Sequence, residues 1–327
     1  MALIVLERGK IIRFFCWSFL LLLALLAVSR WPEVARSLYG VKDRVTLEGL
    51  PVERLLPGEV RAVVEELAEK YFIRPQNAGF FPETGEVVPE RDGLGIDIES
   101  TVESILQARP GENLSLITYS IPAAVTGDYF SPVFHGNSER NEVSITVNVA
   151  WGEEEIPGLL AVLRENAVKA TFFFVGDWVK KFPDLVRDIS REGHEIANHG
   201  LYHGHPNTMS RDELNRLILD NARLLDEVTG EPPAKLFAPP YGEFNEQVVS
   251  VAGNLGYRTI LWTVDTVDWK RPAPEVITRR VIEKIEPGAI MLMHPTAPTV
   301  EALGGIIKSL KEQGYTFVTV GRLLRQE

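Results

Sequence analysis

From Val143 to the C-terminus the chain repeats one rhythm: a short apolar run, a polar cluster, then a stretch of helical periodicity. The runs Val143–Val149, Ala170–Val175, Glu195–Ala197, Lys235–Phe237, Arg258–Thr263, Ala289–Met293 and Thr316–Val318 predict strands. Between them, Ile156–Asn166, Arg211–Thr229, Ala273–Ile285 and Val300–Gln313 predict helices. Seven such repeats in residues 143–327 indicate an α/β fold, a distorted (β/α)7-type barrel rather than an open sheet. Periodicity alone leaves closure undecided. The polar clusters all follow strand C-termini, the functional face of such a barrel.

Before Val143 the pattern differs. Gly58–Tyr71 has the period of an amphipathic helix, with Val60, Val63, Val64, Leu67 and Ala68 on one stripe. Ala78–Phe81, Glu86–Pro89 and Leu114–Ile121 read as short strands. Ser100–Gln107 reads as a helix, with Ser100 as its cap and Glu103 three residues on. These pieces predict a small α+β domain over 45–128, and the polar stretch His135–Glu142 closes a linker over 129–142.

The N-terminus carries a different signal. Arg8, Lys10 and Arg13 precede an uncharged run, Phe14–Ser29, closed by Arg30. Sixteen helical residues span roughly 24 Å, a little short of a bilayer core near 30 Å. The run is slightly long for the apolar region of a cleaved signal, although Ala27-Val28-Ser29 could serve as a cleavage site. Trp17 and Trp31 suit the two membrane interfaces. Residues 1–13 are thus read as a cytoplasmic basic flank, 14–31 as a transmembrane anchor or signal peptide, and 32–44 as a stalk. Either reading of 14–31 exports the rest: a single-pass membrane protein with its C-terminal domain outside the cytoplasm, or a secreted one.

Charge narrows the partners. The chain has 327 residues and 34 basic against 45 acidic side chains, a net charge of -11. With no basic stripe, nucleic acid is excluded as a partner. The single cysteine, Cys16, lies in the leader, so no disulfide forms within the chain and the fold rests on core burial. No obligate protein partner is inferred.

Four of the six histidines fall within residues 193–206, Gly-His-Glu-Ile-Ala-Asn-His-Gly-Leu-Tyr-His-Gly-His-Pro. His199 and His203 are four apart, so a helix-like turn between them would let both imidazoles converge on one small ion. A polar surface loop is the competing reading of the same residues.

Five clusters resemble, in order, the NodB-type polysaccharide deacetylases, metal-dependent hydrolases that remove acetyl groups from amino sugars. Lys169-Ala170-Thr171-Phe172-Phe173 is similar to the family's second strand, and Gly193–His203 to its histidine motif. Phe237-Ala238-Pro239-Pro240-Tyr241-Gly242 resembles its Arg-Pro-Pro-Tyr-Gly motif without the Arg. Val264-Asp265-Thr266-Val267-Asp268-Trp269 resembles the Asp-Trp motif, and Leu292-Met293-His294 the closing Leu-x-His. The likeness is greatest to the sporulation-associated branch of Gram-positive bacteria, whose first motif also runs into Trp-Gly-Glu. Residues 45–128 resemble a peptidoglycan-binding domain found beside wall-modifying enzymes, through pieces such as Pro75–Phe80, Gly85–Glu90 and Gly95-Ile96-Asp97.

The resemblance implies a cell-wall glycan, peptidoglycan, as substrate and a divalent metal, zinc, as cofactor. It implies His199 and His203 as metal ligands and His294 as general acid. Asp268 would orient His294, with Asp265 as its rival. The Tyr241 backbone N–H would help stabilise the oxyanion, and Pro239, Tyr241 and Trp269 would contact the sugar. His194 is read as structural, and His205 and His135 as solvated.

The first motif departs from the family. Where Thr-Phe-Asp-Asp-Gly supplies a base and a third metal ligand, this chain reads Thr146-Val147-Asn148-Val149-Ala150-Trp151-Gly152-Glu153. Aligned from Thr146, Asn148 takes the base position; aligned from Gly152, Ala150 and Trp151 replace both acids. An amide cannot accept a proton at neutral pH and is a weak zinc ligand. Ala238 stands where the Arg that pairs with the base belongs, and the two losses fit together, because an Arg without its carboxylate would be a buried unpaired charge. Glu153–Glu155 could supply a substitute acid, but three adjacent acids also suit a helix start. Two expectations follow: a wall-anchored deacetylase with a modified, weakened metal site, or a catalytically impaired homologue that holds wall glycan without turnover.

Overall fold

The computed structural model describes residues 8–325. Residues 1–7, part of the expected basic flank, lie outside the described residues. The chain divides into two compact units, Met1–Gln76 with Arg91–Ala123, and Asn77–Glu90 with Ala124–Glu327.

The larger unit is built on a parallel sheet of eight strands: β1 (Glu142–Val149), β2 (Thr171–Phe174), β3 (Glu195–Asn198), β4 (Leu236–Phe237), β5 (Arg258–Thr259), β6 (Val264–Asp265), β7 (Ile290–Met293) and β8 (Thr316–Phe317). The order is β5-β4-β3-β2-β1-β7-β6, and β8 pairs with the start of β1. Every pairing in it is parallel, as expected of strands joined by crossover helices.

The sheet curls into a half-barrel that is not hydrogen-bonded shut, so the closure that periodicity left undecided is partial. The cause lies in the run Arg258–Thr263, which forms one strand in the pattern but serves two edges. Its first half pairs with β4. The Leu261 N–H then turns to the Val133 carbonyl, and the Thr263 N–H to that of Ile290. Only its first two residues form a strand, β5, and a separate short strand, β6, follows beyond it at Val264–Asp265.

Alternation along β1 fixes what faces where. Val143, Ile145, Val147 and Val149 join the core shared with the helices Ile156–Glu165 and Ala297–Glu312. Ser144, Thr146 and Asn148 point the other way. The Ser144 hydroxyl donates to the Val318 carbonyl at 2.7 Å and the Thr146 hydroxyl to that of Met291 at 3.0 Å. A second apolar cluster that includes Phe173, Ala197, Leu236, Ala238, Ile260 and Ile290 fills the concave side. Both faces are therefore covered, which is why the strands read as continuous apolar runs. Helices Gly176–Lys181, Pro183–Arg191 and Glu246–Asn254 add to those expected.

The smaller unit packs helix Pro57–Tyr71 against Ile98–Gln107, and its core includes Val45, Leu47, Val60, Val64, Leu67, Val102 and Ile105. Its expected last strand is two, Asn113–Leu114 and Thr118–Ile121. The second helix starts earlier than expected, and its cap is Asp97 rather than Ser100. The Asp97 carboxylate accepts the Ser100 N–H at 2.9 Å and the Ser100 hydroxyl at 2.7 Å. Residues 77–90 pack with the larger unit, where the Phe80 N–H donates to Asn254 Oδ1 at 3.0 Å.

At the N-terminus, helix Arg8–Tyr39 carries exposed Trp17, Phe19, Leu20 and Leu21. Among the described residues no single helix is long and apolar enough to cross a membrane. Cys16–Leu25 and Val28–Tyr39 meet the length and composition together, with a 41° bend between them.

Candidate active site

A cleft of about 390 Å³ opens where the C-terminal ends of the strands meet. Asn148, Ala150 and Trp151 follow β1 into it, and His199 and His203 enter from the loop after β3. Tyr241 and Gly242 come from the loop after β4, Asp265 and Trp269 from the β6 end, and Leu292 and His294 from the end of β7. Trp262 completes the wall. Four of the five motifs singled out in the sequence thus converge in space, and the remaining one, on β2, is core.

His199 is held by backbone groups on both sides. Its N–H donates to the Phe174 carbonyl at 3.0 Å, and its Nδ1 lies 2.6 Å from the Ala238 carbonyl. A carbonyl only accepts, so Nδ1 carries the proton and Nε2 keeps its lone pair. Asn198 braces the turn: its Oδ1 accepts the Gly200 N–H and the Asn221 amide, both at 2.8 Å. The His199 and His203 rings lie 5.2 Å apart, edge to face. Burial, and then the neighbouring His203, lower the His199 pKa to about 3. Burial, with His294 next, lowers that of His203.

His294 pairs with Asp268, not with Asp265. Its Nδ1 lies 2.8 Å from Asp268 Oδ1, and its backbone N–H donates to Oδ2 at 2.6 Å. The fully buried carboxylate also accepts the Thr299 hydroxyl at 2.7 Å. Asp265 instead accepts the Val267 N–H at 2.8 Å, in a turn where Val267 is left-handed at φ 53°. Trp151 lies parallel to the His294 ring, with centroids 5.8 Å apart and planes 4° apart.

Tyr241 also adopts a left-handed backbone, at φ 61°. Its ring meets His203 edge-on at 4.3 Å and stacks on His205 at 4.4 Å. Gly242 follows at φ 66°, and a Cβ there would sit 2.4 Å from the Trp262 ring. Glycine is required on both counts.

Other candidates lie apart. Pro239 is buried and forms no part of the cleft wall, where Trp151 and Trp262 stand instead. Glu153–Glu155 form one turn of 3-10 helix and do not line the cleft; Glu153 lines a smaller cavity beside it, with Asp177 and Lys181. His194 is buried away from the cleft and accepts the Ala170 N–H on Nδ1 at 3.1 Å; burial, and then Lys169, lower its pKa to about 4. His205 and His135 are exposed.

Asn148 is the exception among the convergent groups. It is 6% exposed, and its Oδ1 has no hydrogen-bond partner. Val149, the other residue aligned from Thr146, faces the outer core. Neither alignment places a carboxylate at the end of β1. A divalent ion would find imidazole nitrogen at His199 and His203, whereas the third-ligand position in the alignment from Thr146 is Val149, an apolar side chain in the outer core. Among the described residues, no three His, Cys, Asp or Glu side chains come together in a way that could hold a metal ion. The donor set supplies two of the three ligands of such a site and does not fit it fully.

Comparison with known proteins identifies the family. The polysaccharide deacetylase family model matches residues 135–260. The uncharacterized Bacillus subtilis protein YlxY is 35% identical over 80% of this chain and 82% of its own. A Bacillus cereus peptidoglycan-N-acetylglucosamine deacetylase is 39% identical over 57% of this chain and 90% of its own. Among solved structures, Bacillus anthracis BA3943, described as a CE4 family pseudoenzyme, superposes with a TM-score of 0.59 at 36% identity, covering 81% of this chain and 94% of that one. A mutant of BA3943 is described as having restored enzymatic activity. The fold and the order of its motifs thus define a protein of polysaccharide deacetylase architecture. This chain belongs to the polysaccharide deacetylase family, CE4, and its relatives include proteins of the Bacillus branch.

Proposed function

We propose that this protein takes the N-acetylated glycan of peptidoglycan into the cleft as a deacetylase does, with hydrolysis of the acetamide C–N bond impaired. The observation that carries this reading is Asn148, an unpartnered amide where attack on the carbonyl needs a base. Water is a poor nucleophile towards an acetamide unless a group takes its proton, and an amide cannot. Trp151, Trp262 and Trp269 offer flat apolar faces suited to sugar rings. BA3943 supports the same reading by its description as a pseudoenzyme.

A second reading, slow hydrolysis, is favoured by the His294–Asp268 pair. With Nδ1 facing Asp268, His294 would present Nε2 to the leaving amine, and Asp268 would steady the charge as the proton moves. The Tyr241 N–H would meet the developing oxyanion. A divalent ion held by His199 and His203 would supply polarisation of the carbonyl and of a water when bound.

Zinc as that ion, attachment at the outer membrane face through the N-terminal helix, glycan binding by the smaller unit and a place in sporulation belong to the same proposal. Its test is paired: binding of N-acetylglucosamine oligomers and acetate release from them and from peptidoglycan, with zinc supplied. Binding without release supports the impaired reading. Slow release above the uncatalysed background would replace it with the second, release at rates usual for enzymes would reject both, and absence of binding and release would reject the glycan site.

A further inference from the structure

We propose that the cleft holds the free amine of a de-N-acetylated hexosamine in preference to the acetamide. This rests on the reading of the cleft as a wall-glycan site and names which form of the glycan it retains.

The reasoning starts from what lines the floor. Asn148 Oδ1 is a buried acceptor with no partner. His199 spends its one proton on the Ala238 carbonyl, so its other nitrogen is a second acceptor. Asp265 uses one carboxylate oxygen for the Val267 N–H and lines the cleft with an oxygen to spare. Among the described residues, no lysine or arginine lines the cleft. A buried acceptor without a donor is unfavourable, and a set of acceptors beside a carboxylate selects a ligand that brings donors and positive charge.

An ammonium brings three N–H donors and one charge; an acetamide brings one N–H donor and a carbonyl oxygen that competes with the acceptors already there. The aromatic face of Trp151 favours the cation further, through attraction to the ring face, whereas Trp269 already carries Lys270 Nζ 4.8 Å from its centroid. Replacement of a base by Asn148, and of the family's Arg by Ala238, both act in this direction. The first removes the group that would attack, and the second removes a positive charge that would repel an amine.

The test titrates the full chain with glucosamine oligomers and with N-acetylglucosamine oligomers of equal length, in chelator and at physiological salt. Binding is read by tryptophan fluorescence and calorimetry. Salt matters because the net charge of -11 attracts any polycation at low ionic strength. The glucosamine oligomer is expected to bind at least about tenfold more tightly. Asn148→Ala and Asp265→Asn, each checked for an unchanged melting curve, should each weaken it about tenfold and narrow its margin over the N-acetylated oligomer, since each removes a hydrogen bond to a charged group. Equal or tighter binding of the N-acetylated oligomer would overturn the proposal and leave the glycan reading standing. Glucosamine binding unchanged by both substitutions would overturn it as surface attraction. A preference that appears only with added zinc would overturn it as well, because the ion would then occupy the acceptors. Failure of both oligomers to bind would reject the glycan reading itself.

Discussion

His294 and Asp268 are joined twice, ring to carboxylate at 2.8 Å and backbone N–H to carboxylate at 2.6 Å, so one buried side chain sets both where His294 stands and which nitrogen is protonated. Asp268→Ala would leave three donors without an acceptor, counting the Thr299 hydroxyl. The expected loss of unfolding free energy is about 3 kcal/mol, against less than about 1 kcal/mol for Asp265→Asn. Denaturant unfolding measures both. Nitrogen-15 NMR of the His294 ring should show Nδ1–H in the wild type and a tautomer mixture in Asp268→Ala. Equal stability losses at the two positions would remove the distinction between them.

Acid should unfold the larger unit through its buried histidines. Burial lowers His199 to about 3 and His194 to about 4, from 6.5. The unfolded chain therefore binds more protons than the folded one below pH 6.5. The stability tied to these groups is fully present above that value and is lost as pH falls towards about 3 and about 4. Each histidine removes up to about 1.4 kcal/mol per pH unit inside its window. Urea unfolding from pH 7 to pH 4.5 should show this slope, and His194→Gln should reduce it. A flat profile over that range would show that these imidazoles titrate normally.

Topology is tested on intact cells stripped of wall. With the N-terminal helix in the membrane and the basic flank inside, protease added to protoplasts should remove the C-terminal unit. Full protection would contradict an external domain.

Much of this architecture is legible in the sequence where one period dominates. The alternation in β1 separates Val147 and Val149 from Thr146 and Asn148, and the His-x-x-x-His spacing brings His199 and His203 together. What could not be read depends on partner choice. The run Arg258–Thr263 looks like one strand because apolar periodicity does not say which neighbour takes each N–H. Asp97 and Ser100 are both capping residues, and only the direction of the Asp97 carboxylate decides between them. Asp265 and Asp268 are three apart, and the left-handed Val267 between them determines which reaches His294. Trp262 reads as core because it sits within an apolar run, whereas the missing Cβ of Gly242 makes room for its ring beside the cleft.

Zinc binding should be present but weak. Two imidazoles alone supply fewer strong bonds than two imidazoles and a carboxylate. His203→Ala should reduce affinity at least about tenfold by calorimetry, in line with the loss of a coordination bond. Stoichiometric zinc that survives loss of both His199 and His203 would place the ligands elsewhere.

Restoring the acid is the most direct test of what the site lacks. Asn148 lines the cleft without a partner, and Ala238 is buried in the apolar cluster on the concave side of the sheet. Asn148→Asp alone places a carboxylate in a buried position with no counter-charge, so its pKa should rise and its orientation is unspecified. Ala238→Arg alone buries an unpaired guanidinium and should destabilise the fold. Together each charge supplies the other's partner, so the double substitution should exceed the sum of the two singles in both stability and acetate release, a coupling that a double-mutant cycle measures. General-base catalysis typically contributes about 10²–10⁴-fold, which bounds the expected gain at about 3–5 kcal/mol of barrier. The assay is acetate release from N-acetylglucosamine oligomers and peptidoglycan with zinc or cobalt supplied. Rapid turnover by the wild type, unchanged in Asn148→Ala, would show that another group acts as base, and Glu153, in the cavity beside the cleft, would be substituted next. A folded, metal-binding double variant with no turnover would mean that base and partner are not all the site has lost, and would favour glycan binding as its function.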